Sequence, residues 1–95
     1  MIRSFADVGT EAIFRGSRVR RLPHDIHDPA RRKLRQLDAA DRLDDMRQPP
    51  GNRLEQLKGH APPRYSVRIN GQWRLTFRWS NGGADDVRIE DYHRG

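Results

Sequence analysis

Residues 64–79 read RYSVRINGQWRLTFRW, and how the two halves of this stretch fold onto one another decides the architecture. Apolar and polar residues alternate on both sides of Asn70-Gly71, the period-two pattern of strands with one covered face, broken by a turn dipeptide. Tyr65, Val67 and Ile69 make one apolar set; Trp73, Leu75, Phe77 and Trp79 make the other. A two-residue Asn70-Gly71 loop would pair Ile69 with Gln72 and Val67 with Arg74, mixing the faces. A loop of odd length, with Gly71 as a left-handed bulge residue, pairs apolar with apolar and is the expected one. It gathers Ser66, Arg68, Arg74, Thr76 and Arg78 on the opposite face.

Toward the C-terminus, DDVRIEDYH (85–93) continues the alternation. Val87 and Ile89 join the apolar face, and Arg88 and Tyr92 the polar one. Upstream, NRLEQLKG (52–59) predicts a short strand into Gly59, preceded by RQPPGN (47–52), which breaks any helix. DRLDDM (41–46) reads as one turn capped by Asp41. Asp28-Pro29 sets a capping carboxylate before proline at the first helical position, predicting a helix from Pro29 to Ala40. Its buried stripe is Ala30, Leu34 and Leu37. Arg31, Arg32 and Arg35 take its remaining surface, as a solvated face or a docking face for an acidic partner. Thr10 is expected to cap a brief helix that Gly16 ends, and MIRSF (1–5) to form a short first strand with Ile2 and Phe5 in the core. The expected fold class is α+β in a single domain (1–95), with N-terminal helices on one face of an antiparallel sheet, mixed at its edge, and the other face open and basic.

The bulk numbers narrow the function. With 95 residues, 34% hydrophobic and 34% charged, the core is thin and the surface dense with charge. A net charge of +6 and a pI near 11 point to phosphate or acidic protein as partner. No long apolar run or signal-peptide core appears, so a membrane partner is not expected. The absence of cysteine excludes disulfides and thiol catalysis and fits a reducing cytosol. Among the basic residues only Lys33 and Lys58 are lysines. Arginine forks bind phosphate and stack on bases, although a GC-rich genome also raises arginine.

Chemistry-bearing residues converge on the polar face: Glu55 and Lys58 from one strand, Arg74 from the hairpin, and Asp91, Tyr92 and His93 at the chain's end. Phosphoryl transfer within RNA needs such groups, because the ribose 2′-hydroxyl must lose a proton, the 5′-oxygen must gain one, and cations must stabilise charge building on the phosphate. A tyrosine can stack on a base and splay the backbone toward in-line geometry. Singly, each has a plainer reading: Asp91 and His93 as a surface pair, Arg74 as an exposed strand residue, Lys58 as a strand end. His24, His27 and His60 lack ligand-like spacing and are expected on the surface, with no metal site.

Taken together, the order MIRSFADVGTEAIFRG, RVRRLP, PPGNRLEQLKG, YSVRINGQWRLTFRW and VRIEDYH resembles the HigB-type toxins of bacterial type II toxin–antitoxin modules, a branch of the RelE/ParE superfamily also called plasmid-maintenance killer proteins. The resemblance spans nearly the whole chain. It implies a RelE-like fold and a ribosome-dependent mRNA endonuclease of the cytoplasm, cutting messages in the decoding site without a cofactor. It also implies a cognate HigA-like helix-turn-helix antitoxin, with operator DNA bound only through that complex. The family motif falls on Glu55, Lys58, Arg74, Asp91, Tyr92 and His93. Arg74 and Lys58 are expected to hold the scissile phosphate, Tyr92 to stack a base, His93 to act as acid or base, and Asp91 to orient it. Some relatives carry histidine where this chain has Glu55, which leaves open whether Glu55 is the base or orients Lys58. Arg68, Arg78 and Arg88 are expected to contact RNA phosphates. Two other readings compete: a ParE-like gyrase inhibitor, disfavoured by the terminal Asp-Tyr-His, and an RNA-binding module that does not cut.

Overall fold

The computed structural model describes residues 1–92. Four strands, β1 (Glu55–Leu57), β2 (Arg64–Arg68), β3 (Trp73–Ser80) and β4 (Gly83–Asp91), form an antiparallel sheet in the order β1-β2-β3-β4. Two helices, α1 (Val8–Phe14) and α2 (His27–Ala39), lie on its apolar face, so the fold is α+β as expected.

The β2–β3 hairpin has the apolar-to-apolar register. Tyr65 faces Phe77 and Val67 faces Leu75, while Ser66 faces Thr76 and Arg68 faces Arg74. The loop is odd in length, because Ile69 N–H donates to the Trp73 carbonyl at 2.9 Å and leaves residues 70–72 between them. Gly71 is not left-handed, which corrects the expected bulge. The Asn70 side chain closes the loop instead, its Oδ1 accepting from the N–H groups of Gln72 (2.9 Å) and Trp73 (2.8 Å). Left-handed backbone serves the next turn, where Asn81 (φ 49°) and Gly82 (φ 75°) make a two-residue loop between Ser80 and Gly83. Positive φ at both central residues is the type I′ geometry that suits the strand twist. A bulge follows, with Asp86 at φ 55°, and it shifts the phase so that Ala84, Val87 and Ile89 all reach the core. Val67, Leu75, Phe77 and Val87 are fully buried there against Ile13, Ala30, Leu34 and Leu37.

The N-terminal segment differs from a regular strand. It makes two isolated parallel bridges to the β4 edge, Ile2 to Ala84 and Phe5 to Val87, and Arg3 clamps it by an ion pair to Asp85 at 2.7 Å. α1 is capped by Asp7, whose Oδ1 accepts from Thr10 N–H at 2.7 Å, and not by Thr10. Thr10 is buried one turn in, and its hydroxyl accepts the Ile89 N–H at 3.0 Å, tying α1 to β4.

α2 starts at His27, two residues before the expected Pro29, because the 3₁₀ turn His24–Ile26 runs straight into it. Asp28 bonds to Arg31 at 3.2 Å and does not cap. His27, expected on the surface, is buried. Its Nε2 accepts from Val19 N–H (3.0 Å) and its Nδ1 donates to the Pro23 carbonyl (2.9 Å), so the backbone sets the neutral tautomer. Arg31 is not simply solvated either, since it donates to the carbonyls of Ile13 (2.7 Å) and Ser17 (3.1 Å) where α1 ends; Arg32 and Arg35 are exposed. The turn Leu43–Arg47 is closed by Asp45, which accepts from the N–H groups of Asp41 and Arg42, both at 3.0 Å. Those bonds hold the Asp45 carboxyl below the usual carboxylate range.

One buried side chain connects α2 to the start of β1. Asn52 donates to the carbonyls of Met46 and Gln48, each at 3.0 Å, and accepts from Lys33. Burial pushes the Lys33 ammonium down from its ordinary value.

Two outcomes follow from these contacts. Thr10→Val keeps the volume but strips the buried Ile89 N–H of its acceptor, and is expected to cost about 1–3 kcal/mol in urea unfolding. The Arg3 hydrogen bond holds the Asp85 carboxyl below the usual range. Asp85 therefore contributes its stability fully above the unfolded carboxyl value near ~4, and loses it as pH falls through the lower native one. Unfolding followed from neutral to acid pH should show Asp85→Asn flattening that acid loss. At neutral pH the effect stays below about 1 kcal/mol, because the pair is one-third exposed.

Candidate functional site

The face of the sheet away from the helices carries the even-numbered residues of β2 and β3, the side set by the odd hairpin loop. A cleft of ≈ 530 Å³ lies over it. Its floor is Ser66 of β2 with Arg74 and Thr76 of β3, and Glu90, Asp91 and Tyr92 at the end of β4 form one wall. Leu57 at the end of β1, with Lys58 and His60 of the loop after it, supplies the other side.

Arg74 sits at the centre of the site. Its guanidinium carbon lies 4.2 Å from the centroid of the Tyr92 ring, a cation–π stack that holds the fork flat. Nε and Nη1 of that fork are buried and have no hydrogen-bond partner among the described residues. Ser66 Oγ, on the same floor, is in the same condition. A buried polar group left unpaired costs about 1–3 kcal/mol, so such atoms gathered on one cleft wall mark a place built for an acceptor.

The end of β4 is held by the hairpin loop. Tyr92 N–H donates to the Gln72 carbonyl at 2.6 Å, and Gln72 Nε2 donates to Asp91 Oδ2 at 2.9 Å. Tyr92 is 47% exposed. Beside the cleft, Arg64 is buried and donates to Thr76 Oγ1 (3.0 Å), the Asp86 carboxylate (3.2 Å) and the Asp86 carbonyl (2.8 Å). Burial, with the neighbouring Arg88 charge second, pushes the Arg64 guanidinium down from its ordinary value. Thr76 donates its own hydroxyl hydrogen bond to Glu90, and Arg88 spans Asp86 (3.6 Å) and Glu90 (4.0 Å).

Of the residues expected in the site, Lys58, Arg74, Asp91 and Tyr92 come together in the cleft. Glu55 does not line it. That residue stands opposite Ser66 on the outer strand, exposed to solvent. His93 lies outside the described residues. Arg68 flanks Arg74 in the register, half-buried; Arg78 is exposed opposite Arg64; Arg88 is half-buried between its two carboxylates. Sequence reasoning passed over His60, Ser66, Thr76 and Glu90 as site residues. Ser66 and Thr76 were legible, since they share the Arg74 face by strict alternation, and Glu90 shares the phase of Arg88 and Tyr92. His60 was not legible, because its position depends on how the loop after Gly59 folds back. Among the described residues no group of three or more His, Cys, Asp or Glu side chains is placed to hold a metal ion, and no helix is long and apolar enough to cross a membrane. The cleft thus offers a forked cation, a point cation, an aromatic face, an imidazole and carboxylates within one wall-to-wall span.

Comparison with known proteins bears on this arrangement. Residues 3–93 match the HigB-like toxin family, described as the RelE-like toxin of the type II toxin-antitoxin system HigB. A Vibrio cholerae protein named Toxin HigB-1 is 41% identical over 93 residues, covering 97% of this chain and 98% of its own. The Endoribonuclease HigB of Proteus vulgaris is 29% identical over 93 residues, covering 98% of this chain and 100% of its own. An uncharacterized Haemophilus influenzae protein is 29% identical over 72 residues, or 76% of this chain and 71% of its own.

Proposed function

The chain belongs to the HigB-like toxin family of type II toxin–antitoxin systems, and from that premise we propose that it is a ribosome-dependent endoribonuclease that cuts mRNA in the decoding site. The observation that carries this reading is the Arg74 fork, stacked on Tyr92, with two buried nitrogens that have no partner among the described residues. A guanidinium with N–H groups left over suits an anion such as phosphate. The name of the Proteus vulgaris relative, an endoribonuclease, supports the same direction.

In the proposed reaction the ribose 2′-oxygen bonds to the adjacent phosphorus and the bond to the 5′-oxygen breaks, leaving a 2′,3′-cyclic phosphate and a 5′-hydroxyl. The 2′ proton passes to a base on the protein, and the departing 5′-oxygen takes a proton from an acid. Arg74 and Lys58 hold the phosphate and the charge that grows on its oxygens. Tyr92 stacks a base and turns the backbone toward in-line geometry. His93 handles protons, with Asp91, anchored by Gln72, as its orienting partner. Glu55, off the cleft lining, fits the role of orienting Lys58 along the strand edge better than that of base. Arg68, Arg78 and Arg88 track flanking RNA phosphates. Membership in the family implies an antitoxin partner; a HigA-like helix-turn-helix protein is the proposed one, reaching operator DNA on behalf of the complex, in the cytoplasm and with no cofactor needed for cutting.

The test is a defined mRNA incubated with and without ribosomes programmed to display one codon, cuts being mapped by primer extension. Cutting should need the ribosome and vanish in His93→Ala. Cutting of naked RNA at the same rate would remove the ribosome dependence, and inhibition of translation without any cut would move the reading to a binding module. Arg74→Lys keeps the charge but loses the fork and its stack. Its cleavage rate should fall on the order of 10²-fold, with unfolding weakened by no more than about 1 kcal/mol through loss of the stack.

A further inference from the structure

Ser66 is 1% exposed, on the floor of the cleft, and its hydroxyl has no hydrogen-bond partner among the described residues. The neighbouring hydroxyl in the register shows the contrast. Thr76, directly opposite on β3, accepts from Arg64 and donates to Glu90. Burial of a polar atom alone therefore does not explain Ser66; on the same floor one hydroxyl is fully satisfied and the other has no partner among the described residues. Alanine would fill the same place in the sheet without the desolvation penalty. The other unpaired donors lining this cleft are Nε and Nη1 of Arg74, one alternation along β3 from Thr76 and on the same face. A hydroxyl that rotates and a guanidinium with unpaired N–H groups together make a donor set for an anion with several oxygens, and a tetrahedral phosphate presents such oxygens.

We infer that Ser66 is a further substrate-contacting residue, donating its hydroxyl to a non-bridging oxygen of the phosphate that Arg74 holds. The inference rests on the nuclease reading above. Negative charge on those oxygens grows as the 2′-oxygen attacks, so a donor placed there strengthens toward the transition state and acts on the cutting step more than on ribosome affinity. Ser66 neither forms a covalent bond nor moves a proton away from the substrate; it shares its own.

The measurement pairs stability with single-turnover cleavage on programmed ribosomes for wild type, Ser66→Ala and the near-isosteric, weakly donating Ser66→Cys. The expected result is an Ala variant that unfolds at the same or a higher urea concentration than wild type, yet cuts on the order of 10²-fold more slowly with ribosome binding unchanged. A residue that only packs would lose stability and activity together, or neither. Replacing a non-bridging phosphate oxygen by sulfur should slow wild type and add little in Ser66→Ala, since the lost donor and the lost acceptor belong to one bond. Wild-type cutting rates in both Ser66 variants would overturn the inference while leaving the nuclease reading intact. If wild type itself leaves every message uncut, the reading fails and the inference falls with it.

Discussion

The pairing of Val67 with Leu75 and Tyr65 with Phe77 is the constraint on which the rest of the molecule depends. Because side chains alternate along a strand, a slip of one residue between β2 and β3 would set the apolar residues of one strand beside the polar residues of the other, exposing one apolar pair and driving polar side chains of that strand into the core. The three-residue loop prevents that slip. Asn70 closes it with two side-chain bonds, and Gln72 on its far side anchors both Asp91 and Tyr92. The same short loop thus sets the core and fixes the end of the last strand against Arg74.

A cleft meant for a polyanion also has to fold before any anion arrives. Arg64, Arg68, Arg74, Arg78 and Arg88 share one small sheet face, and their mutual repulsion is offset locally. Arg64 is paired with Asp86 beneath the surface, and Arg88 is spread between Asp86 and Glu90. These carboxylates occupy two of the arginines, while Nε and Nη1 of Arg74 have no hydrogen-bond partner among the described residues. The division gives each cation a distinct task. Arg64 braces β2 to β3 and β4, while Arg74 faces the cleft.

The helical layer contributes to the site at one remove. Thr10 ties α1 to β4 through Ile89 N–H, and Asn52 ties α2 to the chain entering β1 through its contacts with Lys33, Met46 and Gln48. The stretch after β1 bears Lys58 and His60, so the buried amide of Asn52 lies on the path that positions one side of the cleft.

Local patterning was enough for the sequence to specify the hairpin register, the apolar stripe of α2, the short strand into Gly59 and the shared face of Arg74 and Tyr92, since strict alternation determines which face a strand residue occupies. The same reasoning misplaced the caps of α1 and α2, put the buried His27 on the surface, and made Gly71 do what Asn70 does. For the α1 cap, His27 and the hairpin loop, the deciding hydrogen bond joins residues two to eight positions apart. Two Asn-Gly dipeptides, at 70–71 and 81–82, form different turns in one sheet because the flanking apolar residues demand different registers. Which hydroxyl on the polar face would be satisfied and which left bare was beyond the sequence altogether. Ser66 and Thr76 look alike there, and only the arrival of Arg64 and Glu90 at Thr76, brought in by β2 and β4, separates them.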